Sequence, residues 1–179
     1  MIYLVRHGEP AANWGAHPNP SLTELGVRQA CATAEALAKA GAKRAITSPL
    51  ARSRETAARF EKLMETHARI ETRVGEIITP KDVEDRSAWL KSIVAVNWTD
   101  TDDRLQNWRR DVIAALETLP DETAVFCHFM AINAIVGMLT NDDRVVVFKP
   151  DHASITKVER RDGRLVIIER GAEAATIVT

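Results

Sequence analysis

Apolar residues fall along this chain in two rhythms: short unbroken runs, and longer stretches spaced for a helix face. Residues 2–5 form one run and Thr123-Ala124-Val125-Phe126-Cys127 another, and both read as strands buried on two faces. Ala45-Ile46-Thr47 is a shorter strand, and 68–74 reads as a further short extended segment. Helical spacing begins after Thr23, a suitable N-cap, and runs to about Ala40, with Gly41 as C-cap. Ser48-Pro49-Leu50 turns the chain into a second helix from Ala51 to about Glu65. Others are predicted over 85–96, 102–118 and 129–139, with Trp89, Trp98 and Trp108 packing beneath the first two. The segments His7–Ser21 and Glu76–Glu84 read as irregular, broken by prolines. After Val145-Val146-Val147, the segments 153–159 and 164–169 flank Asp162-Gly163, a strong hairpin signal.

Strands alternating with helices and ending in a hairpin predict an α/β fold. We expect a three-layer sandwich with a mostly parallel central sheet, an antiparallel edge and helices on both faces. At 179 residues the chain suits one domain, expected to span 1–179.

The charge balance of 24 Lys plus Arg against 25 Asp plus Glu gives no overall attraction to nucleic acid or to an anionic membrane. Two cysteines, Cys31 and Cys127, read as buried thiols in a reducing compartment. The apolar start is cut off at Arg6, too soon for a signal peptide, and no run is long enough to span a bilayer. The cytoplasm is therefore the expected location.

Candidate chemistry gathers at strand ends. His7 follows the first strand and His128 follows the 123–127 strand, the edge where α/β sheets place ligands. Arg6 and Arg52 lie near the same ends, and the guanidinium fork suits phosphate oxygens. The five histidines show no HExxH or similar helical spacing, so no metal or other cofactor is expected. Arg54, two residues from Arg52, is expected to point elsewhere.

The ordered set Arg6-His7-Gly8-Glu9, Asn13, Ser21-Leu22-Thr23-Glu24-Leu25-Gly26, Ser48 through Ala57, Glu76, His128 and Ala153-Ser154-Ile155-Thr156 resembles the histidine phosphatases, the phosphoglycerate-mutase-like superfamily. The likeness is to its short phosphatase-type branch and covers almost the whole chain. It implies a metal-independent phosphomonoesterase in which His7 is the nucleophile and Glu76 the general acid and base. Arg6, Asn13, Arg52 and a protonated His128 would bind phosphate, and the partner would be a small phosphorylated metabolite. A phosphohistidine-protein phosphatase, a phosphoglycerate mutase and a silent phosphate-binding interaction protein are the alternatives.

Two departures matter. Ile77-Ile78-Thr79-Pro80 replaces the family's usual continuation after the acid, leaving Glu9, Glu84 and Asp85 as competing acids. Phe129 stands where a glycine commonly follows the second histidine. Trp14, His17 and Phe129 are the candidate substrate-lining residues. Trp14 and Phe129 suggest an apolar or aromatic wall beside the phosphate.

Overall fold

The structure, a computed structural model, describes residues 1–12 and 17–174. Six strands form one sheet in the order β3-β2-β4-β1-β5-β6. These are β1 (Ile2–Arg6), β2 (Arg44–Thr47), β3 (Arg69–Ile70), β4 (Thr123–Cys127), β5 (Ile155–Arg161) and β6 (Arg164–Glu169). β1, β2 and β3 run parallel to their neighbours on the β4 side, while β5 and β6 are antiparallel. The expected mixed sheet and antiparallel edge are therefore present.

Burial follows from the pleat. Ile2 and Leu4 of β1 join Val125 and Cys127 of β4 in one core cluster, whereas Tyr3 and Val5 join Ala124 and Phe126 in another. The first cluster is closed by α4 (Asp103–Glu117) and α5 (Phe129–Thr140), through Val112, Leu116, Ile132 and Ile135. The second is closed by α1 (Glu24–Lys39) and α2 (Ala51–Met64), through Ala34, Leu37, Ala57 and Phe60. Central strands covered on both faces need unbroken apolar runs, which is why β1 and β4 stand out in the sequence. A third cluster forms under α3 (Arg86–Ile93) and includes Ile77, Leu90, Trp98, Phe129 and Met130. Trp98 is buried and stacks on Trp108 at 6.1 Å, while Trp89 is only partly buried.

Local signals hold at several termini. Thr23 caps α1 by accepting the Gly26 N–H, and Gly41 follows the helix in the left-handed region at φ +88°. Asp162 (φ +48°) and Gly163 (φ +77°) make the two-residue turn between β5 and β6. Two details differ from expectation. The segment 68–74 yields only a two-residue strand followed by a 3-10 turn, Thr72–Val74. Cys31 faces solvent, because its alanine-rich helix buries Ala30 and Ala34 instead. In the Val145-Val146-Val147 segment, Val145 is buried in the third cluster, and the Val147 and Phe148 amides donate to the Asn133 side chain.

The loop leaving β1 is pressed against the start of α1. A Cβ on Gly8 would stand 2.5 Å from the Gly26 carbonyl oxygen, and one on Gly26 would stand 2.3 Å from that of Glu9. Both obstacles are backbone, so neither can swing aside. Gly26→Ala should therefore lower stability by about 1–3 kcal/mol, or roughly 2–4 °C in Tm for each kcal/mol in a chain of this size. A thermal melt that matches wild type would show that the two segments are not in this close approach.

Candidate active site

The β1–β4 register pairs Arg6 with Cys127, so the next residues, His7 and His128, leave the sheet side by side. Their ring centroids lie 5.2 Å apart. β2 pairs Thr47 with Phe126 on the other side of β4, which brings Ser48 to the same edge and Arg52 to the first turn of α2. Thus three neighbouring strands deliver Arg6, His7, Ser48, Arg52 and His128 to one place, all at most 5% exposed. Such a crevice at the carboxyl edge of parallel strands is where α/β sheets bind ligands. The amino end of α5 adds its partial positive charge there.

Hydrogen bonds determine the state of His7. Arg52 Nε lies 3.1 Å from His7 Nε2, and an arginine N–H can only donate, so Nε2 carries the lone pair. The ring hydrogen is then on Nδ1, which donates to the Gly8 carbonyl at 2.8 Å. Burial holds the His7 pKa well below its ordinary value, reinforced by His128, Arg6 and Arg52, while the Gly8 carbonyl opposes the shift. The imidazole is neutral, with its nucleophilic nitrogen turned toward an arginine.

His128 Nε2 lies 2.7 Å from Ser48 Oγ, which also accepts the Leu50 amide at 3.3 Å. Its Nδ1 is buried with no partner among the described residues. Burial, then Arg52 and Arg6, push its pKa well below the ordinary histidine value. The imidazolium expected from sequence is disfavoured here, first by burial and then by the two cations beside the ring.

Arg6 donates through Nη1 to the Pro150 carbonyl and through Nη2 to His152 Nε2, each at 2.8 Å. Its Nε is buried without a partner. Burial lowers its pKa to about 10, which leaves it charged at neutral pH. Neither Arg6 nor Arg52 forms an ion pair within 4 Å among the described residues. The nearby carboxyl is that of Glu76, buried, accepting the Ile77 amide through Oε1 at 3.0 Å. Burial raises its pKa, opposed by that amide and by Arg52, Arg6 and Arg86. Of the competing acids, Glu84 and Asp85 are exposed, Asp85 capping α3, and Glu9 lies near Thr23 Oγ1 at 3.4 Å.

Phe129 is 6% exposed, sits in the third core cluster and places its ring under the Arg6 guanidinium at 5.3 Å. It supports a cation from below, which removes it from the expected apolar wall. His17 is exposed, and its Nδ1 accepts the Asn19 amide at 3.1 Å. Asn13 and Trp14 lie outside the described residues. Arg54 is exposed and faces an outer cavity of about 420 Å³ beside Glu55 and Glu61, away from Arg52 as expected. Sequence reasoning missed Ser48, Arg86 and His152 as members of the site. Only Ser48 carried a signal, as part of the Ser48–Ala57 motif. Among the described residues no three His, Cys, Asp or Glu side chains gather as a metal ion would require. None of the described helices is long and apolar enough to cross a membrane.

The model for the histidine phosphatase superfamily (branch 1) matches residues 2–172. No curated protein matches. Among solved structures, the mycobacterial glucosyl-3-phosphoglycerate phosphatase is 19% identical, with 97% of this chain and 99% of that one covered at a TM-score of 0.74. The phosphoserine phosphatase of Entamoeba histolytica, solved with 3-phosphoglyceric acid, is 18% identical over 96% of each chain, also at 0.74. Mycobacterial hydrolase 1 is 22% identical over 97% of this chain and 98% of its own, again at 0.74. At these identities the likeness is one of fold.

The raised pKa of Glu76 has a consequence for stability. Its folded form binds the proton more tightly than the unfolded chain, so this contribution is complete below the ordinary carboxyl range and is lost as pH rises through the folded value. Glu76→Gln keeps the acceptor for Ile77 and does not titrate. The variant should melt higher than wild type at pH 8, and the advantage should vanish at pH 4. An equal Tm difference at both pH values would mean that Glu76 is not a buried, ionisable group.

Proposed function

The chain belongs to branch 1 of the histidine phosphatase superfamily, and on that premise we propose that this phosphatase hydrolyses small-metabolite phosphomonoesters through a phosphohistidine on His7. The observation that carries the reading is the neutral His7 ring, tied by Nδ1 to Gly8 and presenting Nε2 to Arg52. Anionic substrate oxygens compete for the Arg52 N–H and release that lone pair. Nε2 then attacks phosphorus while the ester P–O bond breaks, and the departing oxygen takes the proton of Glu76. In the second half, the Glu76 carboxylate accepts a proton from water, whose oxygen attacks phosphorus as the P–N bond breaks. Inorganic phosphate leaves, and Glu76 is again protonated.

Positive charge for both transition states comes from Arg6 and Arg52, with the α5 amino end. With the Ser48 hydroxyl donating to His128 Nε2, the His128 proton sits on Nδ1, which has no partner among the described residues. That N–H is a donor for a phosphate oxygen, and a dianion beside it favours the protonated ring. By the family motif Asn13 joins the phosphate ligands, and Trp14 and His17 stay candidate substrate contacts on the strength of the sequence alone. Relatives named for glucosyl-3-phosphoglycerate and phosphoserine support a small, acidic phosphoester as substrate. Two cysteines outside any disulfide support a cytoplasmic enzyme.

Phosphate release from an aryl phosphate should survive a metal chelator, and His7→Ala should lose at least about 10³-fold in kcat/KM. Activity that fails with chelator and returns with a single metal would contradict this mechanism, as would an active His7→Ala enzyme. Glu76→Gln should slow intermediate formation from an alkyl phosphate by about 10²-fold or more, and from an aryl phosphate by less. Rapid quench checks this, and equal slowing would remove Glu76 as the acid.

A further inference from the structure

Residues 150–154 form a strap across the mouth of β1. Pro150 supplies the carbonyl for Arg6, and the Ala153 amide donates to the His7 carbonyl at 3.1 Å. Ala153 adopts φ +58°, and its own carbonyl accepts from Thr33 Oγ1 at 2.7 Å. The left-handed turn holds His152 over the site, its ring centroid 5.9 Å from that of His7. His152 Nε2 accepts Arg6 Nη2, so in the neutral ring the hydrogen sits on Nδ1. The nearest carboxylate in the strap, Asp151, accepts the His152 amide through Oδ1 at 2.8 Å and forms no bond to Arg6.

From this geometry we infer that His152 is a positioning residue that fixes the Arg6 guanidinium as an uncharged acceptor, orienting it for phosphate without neutralising it. A buried arginine needs acceptors for its N–H groups, and carboxylate is the usual one. A carboxylate in this place would cancel the charge that must meet the substrate. An imidazole beside a guanidinium supplies the lone pair alone. Burial and the same guanidinium lower the His152 pKa to about 4, so it stays neutral through the physiological range. With Nη1 and Nη2 each anchored and Phe129 under the plane, the unpartnered Nε edge has one orientation in which to meet an anion. The inference rests on the phosphatase reading for what the anion is, but it is tested separately from it.

Three variants separate the acceptor from its charge. His152→Gln keeps a neutral acceptor at comparable reach, His152→Ala removes it, and His152→Glu restores an acceptor with negative charge. Direct titration with inorganic phosphate should give Gln within about threefold of wild type and Ala about 10-fold weaker, the scale of one charge-assisted bond. Glu should be weaker than Ala. For an aryl phosphate, KM should follow the same order, with kcat changing less. Equal binding by Ala and wild type would overturn the inference, and so would Glu binding phosphate as well as Gln. If wild type binds phosphate but hydrolyses no ester, the phosphatase reading fails while the order of the three affinities still decides the role of His152.

Discussion

Two guanidinium groups buried at the carboxyl edge of the sheet, neither bonded to a carboxylate among the described residues, set the terms for everything around them. Arg6 and Arg52 are 3% and 5% exposed. Burying charge in this way costs several kcal/mol per ion unless the surroundings compensate. Here compensation is partial and uncharged: a backbone carbonyl, two imidazole nitrogens and the face of a phenyl ring. Two buried nitrogens, Arg6 Nε and His128 Nδ1, have no described partner, each of which costs about 1–3 kcal/mol. Such a site is poor for stability and well prepared for an anion.

Burial first, and the same cations after it, set the protonation of the neighbouring groups. His7, His128 and His152 are all held below their ordinary pKa, so each neutral ring keeps a lone pair, that of His152 accepting from Arg6. Glu76 moves the other way, because burial there outweighs attraction to three arginines. A histidine that keeps its lone pair and a carboxyl that holds its proton more tightly than usual suit the proposed acid-assisted phosphoryl transfer. The scaffold fixes the geometry: His7 and His128 are placed by strand register, and the glycine contact at Gly8 and Gly26 clamps the loop that follows His7.

The sequence displayed those parts whose signal is local. Continuous apolar runs marked β1 and β4, Asp162-Gly163 marked the hairpin, and Thr23 marked the start of α1. Positions at strand ends brought His7, His128, Arg6 and Arg52 forward together. Non-local features stayed hidden. The Asn133 side chain takes up the Val147 and Phe148 amides, and Phe129 resembles a pocket wall until Arg6 is seen above it. His152 lies 146 residues from Arg6 and belongs to no pattern that spacing alone reveals. The charge of His128 depends on its own burial and then on two arginines beside it, which only the fold establishes.

The account turns on which nitrogen of His7 is free. With Nδ1–H bonded to the Gly8 carbonyl, the proposed phosphohistidine would form on Nε2. The enzyme should be mixed with an aryl phosphate, quenched in base within milliseconds and digested, and the labelled peptide resolved by phosphorus NMR and mass spectrometry. The account predicts one acid-labile phosphoryl group, on His7, at Nε2. Label at Nδ1, on His128 or His152, or on no histidine at all would contradict it.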